Sequence, residues 1–243
     1  MIHAAAVLAA ILQAASPAAR GDAPYRLLVF SKTAGYRHAA IPNGVAALRG
    51  LSEKSGFAVD ATEDAAVFTD EKLKAYAAVV FLCTTGDVLD DAQQQAFERY
   101  IRGGGGFVGV HSATDTEYDW PFYGRLVGAY FANHPKGTPT AIVRVEDATH
   151  PATAGLPAAW TRVDEWYNFK ANPRSAVHVL ATVDEKSYEG GTMGGDHPIA
   201  WYHDFEGGRA FYTALGHTPE SYVDPLFLSH LLGGIRYAAG KAN

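Results

Sequence analysis

The first half of the chain alternates between short apolar runs and longer stretches with spaced apolar positions. Apolar runs at residues 25–31, 57–62, 76–83 and 106–110 are typical of buried strands. The segments between them predict helices at residues 42–55, 69–73 and 90–102, two of which stop at glycine. The resulting βαβαβαβ order predicts a three-layer α/β fold, with a mostly parallel sheet and helices on both faces.

The second half shows a different pattern, with short strand candidates close together. These candidates cover residues 140–146, 164–169, 177–183, 198–202 and 209–214. Their spacing predicts an antiparallel extension of the sheet or a return to it. A short helix is expected from Trp120 to Val127, and a last helix at residues 225–239 closes the predicted single domain, residues 25–240.

The segment 103–115 joins four glycines, an apolar run and a polar cluster. It predicts a strand that ends in a sharp turn, similar to the nucleophile elbow that exposes one reactive side chain. Here that side chain is His111. In the alternative interpretation, His111 is a buried, hydrogen-bonded histidine in an ordinary strand-to-helix turn.

The net charge and the cysteine content limit what the chain is expected to bind and how its fold is held together. The chain has 243 residues, a net charge of -6 and no Lys/Arg cluster, which argues against nucleic acid as a partner. Its single cysteine, Cys83, excludes an intrachain disulfide and lies in an apolar run, where we expect inert packing.

Residues 1–24 are predicted to be a signal peptide with a short leader. A run of small apolar residues at 4–15 is followed by Ser16-Pro17-Ala18-Ala19, which is typical of such a peptide and its cleavage zone. No Lys or Arg precedes the run, and the run is too short to cross a bilayer as a helix. We therefore expect no membrane span and a periplasmic or secreted protein, cleaved between about residues 17 and 24.

Several motifs resemble the trehalose-utilisation (ThuA-like) family, whose fold is similar to that of class I glutamine amidotransferases (flavodoxin-like). The matching segments, spread over residues 26–239, are Gly35-Tyr36-Arg37-His38, Gly109-Val110-His111-Ser112-Ala113-Thr114-Asp115, His134-Pro135, Asp164-Glu165-Trp166-Tyr167, His197-Pro198-Ile199-Ala200-Trp201 and residues 209–222. The resemblance implies a connection with sugars.

One departure from the amidotransferases changes the expected chemistry. Those enzymes carry cysteine at the elbow, whereas this chain has His111, and imidazole cannot replace a thiolate nucleophile. Glutaminase activity is therefore excluded. The segment from Gly216 to Glu220 resembles the His-x-Glu end of the amidotransferase triad, so the location of the active site is expected to persist with changed chemistry.

Three histidines follow predicted strands of the parallel sheet: His38, His111 and His217. They are expected to converge at the carboxyl edge of the sheet, where ligands bind in open α/β folds. Such a set could perform acid/base catalysis or hold Zn²⁺ or another divalent metal. Glu165 and Asp115 are candidates to orient or activate them, although Asp115 is alternatively the N-cap of the following helix.

Aromatic residues and arginine near these groups suggest a sugar site. The candidate substrate-binding residues are Tyr36, Arg37, Trp166, Tyr167, Trp201 and Tyr222. Core packing is the alternative for each ring, and a salt bridge for the arginine. His134, His150 and His197 each precede proline and are interpreted as residues that fix loops.

These observations lead to two functional hypotheses. The first is an exported enzyme, a hydrolase, lyase or isomerase, that acts on a glycoside or keto-sugar by histidine acid/base or metal-assisted chemistry. The second is a non-catalytic sugar-binding or accessory protein that keeps the fold without its reaction. The sequence leaves the sugar, the bond, the metal and the oligomeric state open.

Overall fold

The computed structural model describes residues 24–241, so the predicted signal peptide lies almost wholly outside the described residues. The strands are β1 Tyr25–Phe30, β2 Phe57–Thr62, β3 Ala78–Leu82, β4 Gly106–Val110, β5 Phe131–Asn133, β6 Thr140–Val145, β7 Ala159–Val163, β8 Asn168–Phe169, β9 His178–Asp184, β10 Pro198–Phe205 and β11 Gly208–Thr213. The α-helices are α1 Ile41–Ser55, α2 Asp70–Leu73, α3 Asp91–Arg102, α4 Pro121–Val127 and α5 Pro225–Ala238.

Nine of these strands form one sheet, in the order β2-β1-β3-β4-β11-β10-β9-β6-β7. The five strands from β2 to β11 pair in parallel. The remaining pairs are antiparallel. Both expectations for the second half are met, since β11 returns to the parallel sheet and β10, β9, β6 and β7 extend it, while β5 and β8 form a separate two-stranded antiparallel sheet.

Helices cover both faces of the parallel half, because successive strand residues point to opposite sides. Phe81 of β3 packs against Phe97 of α3, with ring centroids 5.5 Å apart. The next residue, Leu82, lies against Gly44 of α1 on the other face. The α/β fold with a mixed, mostly parallel sheet is therefore confirmed.

Two local predictions are wrong. The strand predicted at residues 164–169 is present only in its last two residues, which form β8 and pair with β5. Residues 164–167 are a loop, in which the Asp164 side chain bonds backbone amides of another loop. The strand β7, which was not predicted, ends just before this loop. Asp115 is not the N-cap of the next helix, since α4 begins at Pro121 with Trp120 at the N-cap position.

Between residues 24 and 241, no helix is both long and apolar enough to cross a membrane.

Candidate functional site

The site lies at the carboxyl edge of the parallel strands. His38 follows β1, His111 directly follows β4, and His217 lies four residues beyond β11. Because these strands run in parallel, their carboxyl ends share one edge of the sheet. Glu165 comes from the loop after β7 and completes a group of four potential ligands, whose ligating atoms all lie within 4.8 Å of one another.

His111 occupies a strained turn. Its φ of 53° is in the left-handed region, which costs a non-glycine residue about 1–2 kcal/mol. The turn opens a short 3-10 helix, His111–Asp115, and buries the ring completely. The elbow inferred from the glycine-rich segment is therefore present in the backbone.

One hydrogen bond fixes the tautomer of neutral His111. Nδ1–H donates to the carbonyl oxygen of Ala214 at 2.8 Å, and a carbonyl can only accept. Nε2 of the neutral ring therefore carries a lone pair directed at the other site residues.

Nε2 of His111, Nδ1 of His217 and Oε2 of Glu165 form a compact triangle. The two histidine nitrogens are 3.1 Å apart, and the carboxylate oxygen lies 3.3 Å from His111 and 3.1 Å from His217. With His111 neutral, its Nε2 and the carboxylate are both acceptors. A proton on Nδ1 of His217, which lies 3.1 Å from both acceptors, or a cation between the groups would offset the repulsion between them.

The pKa values of Glu165 and His217 are shifted in opposite directions. Burial by itself would raise the pKa of Glu165, but contacts with His111 and His217 hold that pKa well below its usual range. Burial opposes protonation of His217, but the hydrogen bond and charge of Glu165 outweigh it and raise the pKa. The carboxylate is therefore ionised at neutral pH and favours an imidazolium at His217.

His38 remains neutral. Burial, followed by the neighbouring charges of His111 and His217, lowers its pKa to about 3. Its Nδ1 lies 3.3 Å from the hydroxyl oxygen of Ser112, and its ring stands edge-on to those of His111 and His217. A neutral imidazole supplies a lone pair to a ligand at any physiological pH.

His38, His217 and Glu165 border a cleft of about 400 Å³, whereas His111 is fully buried behind them and does not line it. Tyr36, which is 67% exposed, and Tyr167 contribute rings, together with Phe131. The Tyr167 ring lies 4.4 Å from that of His111 between centroids. The cleft thus combines flat apolar surfaces with titratable groups, as a site for a small polar ligand requires.

His134 belongs to this cleft, which corrects its interpretation as only a loop-fixing residue. Its Nδ1 lies 3.2 Å from Oε1 of Glu165 and 2.8 Å from the carbonyl oxygen of Pro135. His150 and His197 do have local structural roles. The former accepts from the Ala152 amide, and the latter lies 2.8 Å from the Tyr167 carbonyl oxygen through Nε2.

Asp115 lines the cleft, but no described hydrogen bond joins it to a histidine. Its carboxylate accepts from the Tyr118 hydroxyl at 2.7 Å. Burial raises the pKa of Asp115, and the Tyr118 hydrogen bond opposes this shift. Asp115 is positioned to meet a ligand rather than to orient the histidines.

Three aromatic candidates belong to the core instead of the cleft. Trp166 donates from its indole to the Pro139 carbonyl, Trp201 donates to the Val127 carbonyl, and Tyr222 donates to the Gly216 carbonyl. All three are buried. Their polar atoms are used by the protein, so the prediction that they bind substrate is corrected.

Two charged groups also differ from the predictions. Arg37 forms a two-pronged ion pair with Glu63 on the surface and does not line the cleft. Glu220 is exposed, and the carboxylate that meets His217 is Glu165. The likeness of residues 216–220 to the end of an amidotransferase triad therefore does not extend to its acid.

The donor set fits a divalent metal such as Zn²⁺. Ligands at the usual Zn–N and Zn–O distances in a tetrahedral site lie about 3.3 Å from one another. Three of the four donors here are 3.1–3.3 Å apart, and the fourth is the neutral His38. Three imidazoles and one carboxylate are also ligands of the type that zinc accepts.

Comparison with known proteins agrees with the fold and the motifs. A structure of a ThuA-like protein from Bacteroides uniformis ATCC 8492 is 27% identical, covers 92% of this chain and 95% of its own, and superposes with a TM-score of 0.78. A second ThuA-like structure, from Parabacteroides merdae ATCC 43184, is 21% identical, with coverages of 89% and 90% and a TM-score of 0.73.

More distant likenesses show the fold alone. A β-galactosidase from Bacillus circulans sp. alkalophilus is 14% identical with a TM-score of 0.56, and the match covers 89% of this chain but 31% of that enzyme. No curated protein matches. The family described as trehalose utilisation (ThuA) matches residues 26–238, which include every residue of the cleft, and the chain belongs to this family.

Proposed function

We propose that the protein is an exported enzyme of carbohydrate metabolism that acts on a glycoside or a keto-sugar. The observation that carries this proposal is the cluster of His38, His111, His217 and Glu165, of which all but the buried His111 line a cleft of about 400 Å³. The family connects the chain with sugar utilisation. The cleft supplies the acid/base groups that a hydrolase, lyase or isomerase of sugars requires.

In the acid/base form of this proposal, Glu165 and His217 act as a proton-transfer pair. The ionised carboxylate holds the imidazolium of His217, which donates a proton to a substrate oxygen and returns to the neutral form. His111 accepts or relays a proton at Nε2, because its Nδ1–H is engaged by the Ala214 carbonyl. A sugar ring stacks on the exposed ring of Tyr36, and its hydroxyls reach Asp115 and His134.

In the metal-assisted form, His38, His111, His217 and Glu165 would hold a divalent ion. A metal bound there would supply Lewis-acid polarisation of a sugar oxygen, and Glu165 and His217 would serve as ligands instead of a proton-transfer pair. Three contributions of the chain are the same in both forms. Ala214 fixes the tautomer of His111, burial keeps His38 neutral, and the rings of the cleft orient the substrate.

The non-catalytic alternative is less well supported by the cleft. A passive sugar binder depends on aromatic platforms and hydroxyl-binding groups, yet four of the five aromatic candidates are buried and only Tyr36 is exposed. The site is instead rich in histidine. The backbone of His111 is strained, and the Glu165 carboxylate contacts His111, His134 and His217. Strain of this kind is characteristic of functional sites.

The test is metal analysis of the purified protein with an activity screen on disaccharides and their keto derivatives. His111→Ala and His217→Ala are each expected to lower turnover at least about 100-fold, the contribution typical of positioned acid/base groups. His178→Ala is the matched control, because this exposed histidine stacks on Tyr202 outside the cleft. Unchanged turnover in both cleft variants would remove these histidines from the mechanism. Sugar binding without turnover or metal would favour the accessory protein.

A further inference from the structure

Asp164, next to Glu165 in the chain, is fully buried and lies outside the cleft lining. Its two carboxylate oxygens accept hydrogen bonds from three backbone amides. Oδ1 accepts from the amides of His217 and Glu165, both at 3.0 Å, and Oδ2 accepts from the amide of Gly216 at 3.0 Å. One side chain therefore ties the loop that carries Glu165 to the loop that carries His217.

A buried ion pair stabilises this carboxylate. Nη2 of Arg162 lies 3.2 Å from Oδ2 of Asp164, and Nη1 lies 2.6 Å from Asp224. The guanidinium is packed over the Trp160 and Phe227 rings, at 4.6 and 5.0 Å from their centroids. A buried carboxylate without such a partner would be strongly destabilising, so Arg162 supplies the counter-charge beside Asp164.

The Gly216 end of this connection is fixed from a second side. Its carbonyl accepts from the Tyr222 hydroxyl at 3.1 Å, while its amide donates to Asp164. Gly216 has a φ of 110°, and a Cβ there would lie 2.9 Å from the Tyr222 hydroxyl oxygen. The residue before His217 therefore has little freedom to move.

We propose that Asp164, held by Arg162, is the positioning residue that sets the distance between Glu165 and His217. This proposal rests on the proposed function in one respect, the catalytic role of Glu165 and His217. Asp164 binds the backbone amide of His217 and does not line the cleft, and its charge also contributes to the raised pKa of His217.

Asp164→Asn is the informative variant, because it preserves shape and changes acceptor capacity. Both carboxylate oxygens accept from backbone N–H groups, so either orientation of the amide places an NH₂ group against a donor. The loops are expected to separate. Loss of such supporting groups typically lowers metal affinity or activity about 10- to 100-fold.

Glu117→Gln provides the matched control. Glu117 is also a buried carboxylate that accepts two backbone amides, those of Val88 and Leu89 at 2.8 Å, together with the Gln94 side chain. It does not line the cleft. If Asp164→Asn merely destabilised the fold, its effects on the site would be the same as those of Glu117→Gln.

The imidazole resonances of the metal-free protein are compared at one pH by NMR, with Zn²⁺ affinity measured by competition with a chromophoric chelator. Asp164→Asn is expected to shift the His217 and His111 resonances and to weaken Zn²⁺ binding about 10- to 100-fold, with Glu117→Gln changing neither. Unchanged imidazole resonances in Asp164→Asn, or equal shifts in both variants, would overturn the proposal. These resonances require no substrate, so an inactive wild type would contradict the proposed function alone.

Amide hydrogen exchange of the wild-type protein tests the proposal even if Asp164→Asn does not fold. The amide hydrogens of Gly216 and His217 lie in a loop, yet donate to a buried carboxylate. We expect them to exchange as slowly as those of neighbouring β11. Rapid exchange of both would show that Asp164 does not hold this loop.

Discussion

Glu165 is the residue on which the charge of the cleft depends. Its carboxylate lies within 3.3 Å of a nitrogen of His111, His134 and His217. We expect Glu165→Gln to lower the pKa of His217, because an ionised carboxylate favours the imidazolium and the amide does not. Turnover is expected to fall about 10- to 100-fold.

The measurement is an NMR titration of the imidazole resonances in metal-free wild type and variant. His178 serves as an internal control in the same spectra, since it is exposed and stacks on Tyr202 outside the cleft. A His217 pKa that is the same in both proteins would show that Glu165 does not set the charge of the site.

For individual residues, the sequence predicted the positions of the titratable side chains better than those of the aromatic rings. His38, His111 and His217 each follow a parallel strand, and strand ends share an edge whatever the side-chain packing. Whether Trp201 faces a cleft or the core depends on tertiary contacts, here its hydrogen bond to the Val127 carbonyl. Residues such as Asp164 act through backbone amides and leave no pattern in the sequence.

Helix α5 illustrates how closely the elements approach one another. A Cβ at Gly233 would overlap the carbonyl group of Pro151 in the loop that precedes β7. We expect Gly233→Ala to destabilise the protein by about 1–3 kcal/mol, the cost of overpacking a well-filled interior.

Gly50→Ala in α1 is the matched control, because a Cβ there meets nothing within 4 Å. It is expected to stabilise the protein by about 0.5–1 kcal/mol, since alanine has the higher helix propensity. Urea unfolding of both variants measures the two changes. Equal effects would indicate that α5 does not rest on the loop.

Elements with a strong periodic pattern were predicted within one or two residues of their observed bounds. The strand β2 and the helix α3 are examples, the latter with a capping box formed by Asp90 and Gln93. The strand β7 was missed, because its buried residues, Trp160 and Arg162, are separated by polar or small ones and one of them is charged. Arg162 is buried only because Asp164 and Asp224 neutralise it.

Across the whole molecule, the site depends on both halves of the sheet. The parallel half supplies the three histidines, and the antiparallel half supplies Glu165 from β7, four strands away from β11 in the sheet order. The contact between Arg162 of β7 and Asp224 at the start of α5 shows that the extension curves back towards the parallel half. Sheet curvature of this kind is not encoded in local patterns, so the sequence could propose Glu165 but not place it.

The last prediction concerns the compartment in which this molecule folds. The apolar run at residues 4–15 predicts export, and cleavage between about residues 17 and 24 would leave β1, which begins at Tyr25, intact. Because Cys83 is the single cysteine and is buried, folding requires no disulfide and no oxidising compartment.

We therefore expect the full chain, expressed in a Gram-negative host, to yield periplasmic protein that lacks roughly the first 17–24 residues by intact mass. A chain that starts at Pro24 and is made in the cytosol is expected to match it in melting temperature and Zn²⁺ affinity, because the cleft residues and their supporting contacts lie within residues 24–241. Periplasmic protein with an intact N-terminus would contradict the cleavage. A cytosolic chain that folds but loses Zn²⁺ affinity would show that the compartment, or residues between the cleavage point and Pro24, contributes to the site.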